Sequence, residues 1–371
     1  RTLWAPRYKG ALGVSGLLKQ YASAGEEALT PAAHSSSGGL FLYQEIPLGR
    51  AVDDATAESR QPHLQIGARY DVYRIRSEDD GGKFGPGRSV TFTNASGSFG
   101  ASAPLGQNMT LSGSVARAFR APTVEELYSN GFHAAVGTYD VGNAALEAEV
   151  NTGVDGVLRA QSGRTSGQVS AYYNRISDYI SPNIVRDTTL EESGVVPLNV
   201  FAQQDATLRG VEGQFEAEVV RHVVLGAVAD MVRGRFTSGE ALPFMPAARL
   251  GASLRWDTGR LFAGTDMRHG FAQERVSQPL CARADMVDIG SEGELPVEPG
   301  AAAPCVDIAT PAYTVVNISG GFTWIVGAAS HSVTLRADNV ADTRYFDASS
   351  RIKSFTANPG RNLSVVYRLV Y

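Results

Sequence analysis

The last ten residues, Asn362 to Tyr371, read NLSVVYRLVY. Leu363, Val365, Tyr367, Leu369 and Tyr371 fall on one side of an extended chain, and Asn362, Ser364, Val366, Arg368 and Val370 on the other, because side chains alternate across a strand. One face is wholly aliphatic or aromatic and the other is mixed. The same period of two recurs in Leu64, Ile66, Ala68, Tyr70 and Val72, set against Gln65, Gly67, Arg69 and Asp71. It recurs again in Val211, Gly213, Phe215, Ala217 and Val219 against Glu212, Gln214, Glu216 and Glu218. Further apolar sets run 223–231, 250–256 and 316–324.

The connectors carry a second regularity. Short joins at PLGQN, QSGRTSG, VVRHV, DTGR and VGAASH alternate with long polar ones near 76–88, 119–147, 181–203, 236–246, 272–312 and 342–360. Short turns on one side, long loops on the other and segments of roughly ten alternating residues between them are the pattern of an outer-membrane barrel. A β-sandwich would also alternate. Glu212, Glu216 and Glu218 on one strand, and strands this uniform, favour a barrel with a wet lumen. The fold class expected is therefore all-β, an antiparallel transmembrane barrel wall of about 14 strands.

Composition narrows the function. The 371 residues are 43% hydrophobic and 19% charged, which is a folding composition. The net charge of −5 and the absence of a dense Lys/Arg cluster argue against a nucleic-acid partner. No run reaches the roughly 18 to 20 apolar residues of a membrane-spanning helix. The chain begins RTLWAPRYKG, so a signal peptide has been removed or the sequence starts within a longer protein. No G-x-S-x-G, P-loop, H-E-x-x-H or CxxC pattern occurs and the histidines are scattered, so nothing supports an enzyme.

Two blocks carry a family resemblance. RAFRAPTVEELYSNGFHAAVGTYDVGNAALEAEV followed by YYNRISDYI, and the ending LRADNVADTRYFD…PGRNLSVVYRLVY, resemble the barrel of TonB-dependent outer-membrane receptors. Asn339, Val340, Asp342 and Tyr345 match a motif of the family's penultimate hairpin, and Tyr371 matches its terminal aromatic residue. The resemblance implies a barrel of 22 strands filled by an N-terminal plug and energised through TonB. No plug is legible here. Residues 1–371 are thus expected to be one domain, the C-terminal portion of such a barrel, in the bacterial outer membrane with lipid around it. The function implied is TonB-energised uptake of a metal-containing nutrient, an iron chelate, haem or zinc; a passive pore or adhesion barrel is the alternative. The metal or its chelate would be cargo, with no permanently bound cofactor.

The candidate site follows from the first block. Phe119 to Asn143 is an external loop, in which Pro122 ends a strand and Thr123, three residues before Glu126, has the spacing of a capping box for a short helical turn. In haem receptors of the family a FRAP box, a His and an NPNL box occur in this order. Phe119, Arg120, Ala121 and Pro122 match the first and His133 lies between, whereas the second reads Asn143, Ala144, Ala145 and Leu146. The expected ligand-contacting residues are Arg120, Glu125, Glu126, Tyr128, His133 and Asp140, with the His133 imidazole as the metal ligand.

Cys281 and Cys305 are the two cysteines and share the longest loop. Export favours a disulfide between them, worth about 3 kcal/mol of loop-closure entropy. A non-reducing digest should show their peptides linked by mass spectrometry; free thiols in protein taken from its native membrane would refute the bridge. The acidic stretch between them, with Asp285, Asp288, Glu292, Glu294 and Glu298 and only Arg283 in opposition, reads as a solvated loop; a lobe that concentrates cations at the barrel mouth is the alternative.

Overall fold

The computed structural model describes residues 9–22, 25, 28–49, 61–190, 194–277 and 306–371. They form one antiparallel sheet whose strands follow chain order. The wall runs β1 (Lys9–Tyr21), β2 (Ala33–Pro47), β3 (His63–Ser77), β4 (Ser89–Leu105) and β5 (Met109–Arg120). Beyond the loop that carries β6 (Asn130–His133) and β7 (Thr138–Val141), it continues through β8 (Glu149–Ser162), β9 (Thr165–Leu190), β10 (Gly194–Val220) and β11 (Val223–Phe236). It ends with β12 (Arg249–Asp257), β13 (Leu261–Gly270), β14 (Tyr313–Val326), β15 (Ala329–Asp338) and β16 (Asn362–Val370). Two of the sixteen strands, β6 and β7, lie off this path, which leaves fourteen in the wall, with β1 and β16 as its edges among the described residues.

The alternation sorts the side chains as the periodicity predicts. Residues directly paired across an antiparallel ladder share a face. Ala171, Val211 and Met231 are one such rung, and Phe215, Ala227 and Ala252 are another. Val211, Phe215, Leu225, Leu250 and Leu254 are each 42% exposed or more, an apolar surface that no other described residue covers. The opposite face carries Asp155, Gln168, Glu212, Asp230 and Arg249 in paired positions, where Arg249 Nε donates to the Asp230 carboxylate at 3.1 Å. An apolar outer set and a charged inner set suit lipid on one side and water on the other.

Two connectors depart from the sequence reading. The expected loop 181–203 is largely ladder: Ser181 pairs with Ala202 and Val195 with Thr189, so β9 and β10 run far past the wall as one hairpin arm. Its polar content suggests a loop, but Ile184, Thr188, Val195 and Val196 are β-branched and pair well in extended backbone. Pro182 and Pro197 lack an N–H, and the register slips next to Pro197, between Leu198 and Asn199. On the short-turn side, the β2–β3 connector 48–62 is longer than its counterparts, and its residues 50–60 lie outside the described set.

Burial is concentrated at the long-loop end. Ile75 of β3 and Ile180 of β9 are inner-face residues that pack with Leu127, Tyr128 and Leu146 of the 121–148 loop. Phe236 and Ala206 are covered by Leu242 from the 237–248 loop. A buried ion pair ties three loops together. Lys353 and Asp307 are 1% and 2% exposed at their side chains, with Nζ and Oδ1 2.5 Å apart. Lys353 Nζ also donates to the Ala348 carbonyl at 2.6 Å. Asp307 Oδ2 accepts from the Ser277 amide at 2.8 Å, and Lys353 lies over the Phe244 ring. Cys281, Cys305 and the acidic stretch between them lie outside the described residues.

Candidate functional site

The 121–148 loop is an ordered insert. Pro122 is buried and ends β5, and the helical turn α1 (Val124–Tyr128) starts at Thr123. Thr123 Oγ1 accepts from the Glu126 amide at 3.2 Å, and the Thr123 amide donates to Glu126 Oε2 at 2.7 Å. This is the reciprocal capping box expected from the spacing. The chain then forms the small β6–β7 hairpin, and β7 joins β10 in parallel, Asp140 opposite Asn199. Gly142 closes the insert on α1: a Cβ there would stand 2.4 Å from the Tyr128 nitrogen. Its amide instead donates to the Ser129 carbonyl at 2.7 Å.

Arg120 points to the inner face between two carboxylates. Its Nε donates to Glu149 Oε2 at 2.7 Å, and its Nη1 and Nη2 donate to Glu126 at 2.8 and 3.0 Å. Glu149 Oε1 in turn accepts from the Ile180 amide at 2.7 Å. Arg120 and Glu126 are thereby engaged in bracing α1 against the wall. Tyr128 is buried in the cluster with Ile75 and Leu127, and that burial pushes its phenol pKa up while the nearby Arg88 charge opposes the shift. Glu125 is exposed on the same helical turn.

The NPNL-like box is part of the same brace. The Asn143 side chain donates to the Phe201 carbonyl at 3.2 Å and accepts from the Ala145 amide at 3.0 Å, while Leu146 is buried in the α1 cluster. The two positions that match the family box, Asn143 and Leu146, are those with structural contacts. Ala144 and Ala145 are exposed.

His133 and Asp140 come together across the β6–β7 hairpin. Nδ1 lies 3.0 Å from Asp140 Oδ2. Asp140 is 2% exposed, and its Oδ1 accepts from Thr138 Oγ1 at 2.6 Å and from Asn199 Nδ2 at 3.0 Å. Asn199, 1% exposed, also accepts from the Asn183 amide at 2.8 Å. Two donors hold the carboxylate at Oδ1, which fixes the Oδ2 that faces the imidazole. In the tautomer that donates Nδ1–H to Asp140, Nε2 carries the lone pair, the arrangement of a histidine prepared to ligate a metal. No group of three or more His, Cys, Asp or Glu residues suited to a metal occurs among the described residues. A metal here would need ligands brought by its own chelate. Sequence spacing does not indicate Asn199, which arrives from β10, 59 residues from Asp140; Thr138, two residues before Asp140, is local to it.

The C-terminal motif also has a structural part. The Asn339 side chain donates to the Thr343 carbonyl and accepts the Thr343 amide, both at 2.9 Å. Asp342 Oδ1 caps the Arg361 amide at 2.7 Å, and Tyr345 packs on Tyr313 with ring centroids 4.6 Å apart. The motif builds the turn that returns the chain from β15 to β16.

Solved structures share this wall. The copper transporter OprC superposes with a TM-score of 0.73 at 16% identity, over 99% of this chain and 55% of that one. The FrpB iron transporter from Neisseria meningitidis gives 0.66 at 14% identity, over 99% and 53%. The ferric enterobactin receptor PfeA from Pseudomonas aeruginosa, as a variant in complex with enterobactin, gives 0.55 at 14% identity, over 91% and 55%. The chain spans about half the length of these proteins, and at such identities the likeness is one of fold. Residues 9–340, from β1 through β15 with the inserted loop, match the family model described as TonB dependent receptor-like, beta-barrel, and the chain belongs to this receptor family rather than to an enzyme family.

Proposed function

We propose that this chain forms barrel wall and external loops of a Gram-negative outer-membrane receptor that takes up a metal-containing nutrient with energy supplied through TonB. The similar structures are named as a copper transporter, an iron transporter and a ferric enterobactin receptor, which supports a metal or metal chelate as cargo. The observation that carries the reading is the Asp140-held imidazole of His133, on a loop whose apolar side folds onto the inner face at the barrel mouth. His133 is the residue offered to the cargo, as an imidazole nitrogen to iron, haem or zinc. Arg120, Glu126 and Tyr128 keep the loop in place, and Glu125 is an exposed carboxylate beside it.

His133→Ala is expected to weaken cargo binding about tenfold or more, corresponding to ~1.4 kcal/mol. His133→Asn, which retains a polar group without a metal-ligating imidazole, should not restore it. The wider reading is tested by uptake of labelled haem, ferric chelate, zinc and cobalamin in cells carrying the intact gene, with and without TonB. Uptake indifferent to TonB favours the passive pore. TonB-dependent uptake of cobalamin alone keeps the transporter and removes the metal role of His133.

A further inference from the structure

On the outer face of the wall, at the long-loop end, arginines gather where the apolar belt stops. Arg117 on β5, Thr152 on β8, Arg175 on β9, Thr207 on β10 and Arg235 on β11 are paired in succession and form one row. The next row toward the short turns holds Val115, Val154, Tyr173, Arg209 and Arg233. Pairing puts these side chains on the same face as Val211 and Met231, opposite the face where α1 and the 237–248 loop pack.

Arg209 and Arg233 stand directly opposite each other, with Arg175 and Arg235 one rung away. Like charges so placed repel. The carboxylate found within ion-pair reach of this group is Asp205, 3.6 Å from Arg175, whose own side chain is 68% exposed. Across β9 to β11 the group spans two strand spacings, about 10 Å. Four guanidinium groups in that width, with one carboxylate at long range, have the charge and donors that suit an anion bearing more than one phosphate.

Position identifies the source of that anion. Outward side chains on β10 are uncharged from Val211 to Val219, and those on β11 from Val223 to Met231. Each span is nine residues, close to the 9–11 that a tilted strand uses to cross a bilayer. Arg209 and Arg233 are the next outward residues on their strands, at the headgroup level of the membrane surface on the long-loop side. Tyr173 lies beside them at the interfacial depth that suits an aromatic residue.

We infer that Arg175, Arg209, Arg233 and Arg235 bind the phosphates of a multiply phosphorylated lipid in the leaflet on the long-loop side. The inference rests on the outer-membrane reading above. It is distinct from cargo capture, because the arginines face away from the lumen.

The test uses the full-length protein purified in mild detergent, titrated with a bis-phosphorylated glycolipid, the same lipid with its phosphates removed, and inorganic phosphate. Thermal unfolding midpoint and native mass spectrometry are the readouts. The phosphorylated lipid should bind and raise the midpoint, and the other two should not. Combining Arg209→Gln, Arg233→Gln and Arg235→Gln should weaken binding on the order of a hundredfold, and Arg209→Gln alone about fivefold. Equal binding of the two lipids, stabilisation by inorganic phosphate alone, or an unchanged affinity in the triple variant would overturn the proposal. Insertion into zwitterionic phospholipid vesicles, read by protease protection, separates the two claims. Normal insertion without phosphate preference removes the lipid site alone, whereas failure of the parent protein to insert removes the membrane reading and this site with it.

Discussion

Lys353→Met is expected to loosen the external loops by about 3–5 kcal/mol, the cost of leaving one member of a buried ion pair without its partner. Asp307 would keep the Ser277 amide but lose the ammonium that compensates its charge. Three loops meet at this pair: Phe244 from the first, Ser277 and Asp307 from the second, and Lys353 with Ala348 from the third. The loss should therefore appear in all three together. Native-state hydrogen exchange at Ser277 and across 244–248 should accelerate, with the β9 and β10 ladder unchanged, because wall strands hold their hydrogen bonds among themselves. Adding Asp307→Asn removes the stranded charge and keeps an acceptor for the Ser277 amide. The double variant should recover to within about 1–2 kcal/mol of the parent. Exchange at Ser277 that is the same in Lys353→Met and parent would show that the pair contributes nothing to loop order.

The second large effect concerns the wall. Ala227 and Val228 are neighbours on β11 that face opposite ways: Ala227 pairs with Phe215 and Ala252 on the apolar face, Val228 with Gln214 and Gly251 on the polar one. Ala227 is the middle residue of the uncharged outward span from Val223 to Met231. Ala227→Arg should cost roughly 2–4 kcal/mol, the penalty for a guanidinium at the bilayer midplane. Val228→Arg, entering a lumen already furnished with Asp230 and Glu216, should cost much less. Urea unfolding in lipid vesicles measures both. Equal costs would mean that the two faces do not meet different solvents, and the barrel reading would fail.

What the sequence by itself determined is the wall. Alternation is a local property, since a strand two residues in period places its faces without knowing its partner. The outward sets read from Leu64, Val211, Leu250 and Leu363 onward are the outward sets of β3, β10, β12 and β16. The capping box at Thr123 was legible for the same reason, because both of its hydrogen bonds close within four residues. The β9–β10 arm was not, since extended backbone rich in Asp, Thr and Pro resembles a loop until a partner strand satisfies its amides.

Tertiary structure alone decided which partners the loop side chains meet. Arg120 reads as an arginine at the end of a strand, and its partner Glu149, 29 residues on, is set opposite it only by the β5–β8 pairing. His133 reads as one histidine in a polar segment. Asp140, seven residues away, meets it only because the hairpin folds, and Asp140 is itself fixed by Asn199 from another strand. Lys353 and Asp307 carry no local signal of burial, being 46 residues apart in polar loops. Each of these contacts joins residues that loop closure must bring together before any interaction is gained, so no window of sequence contains the information.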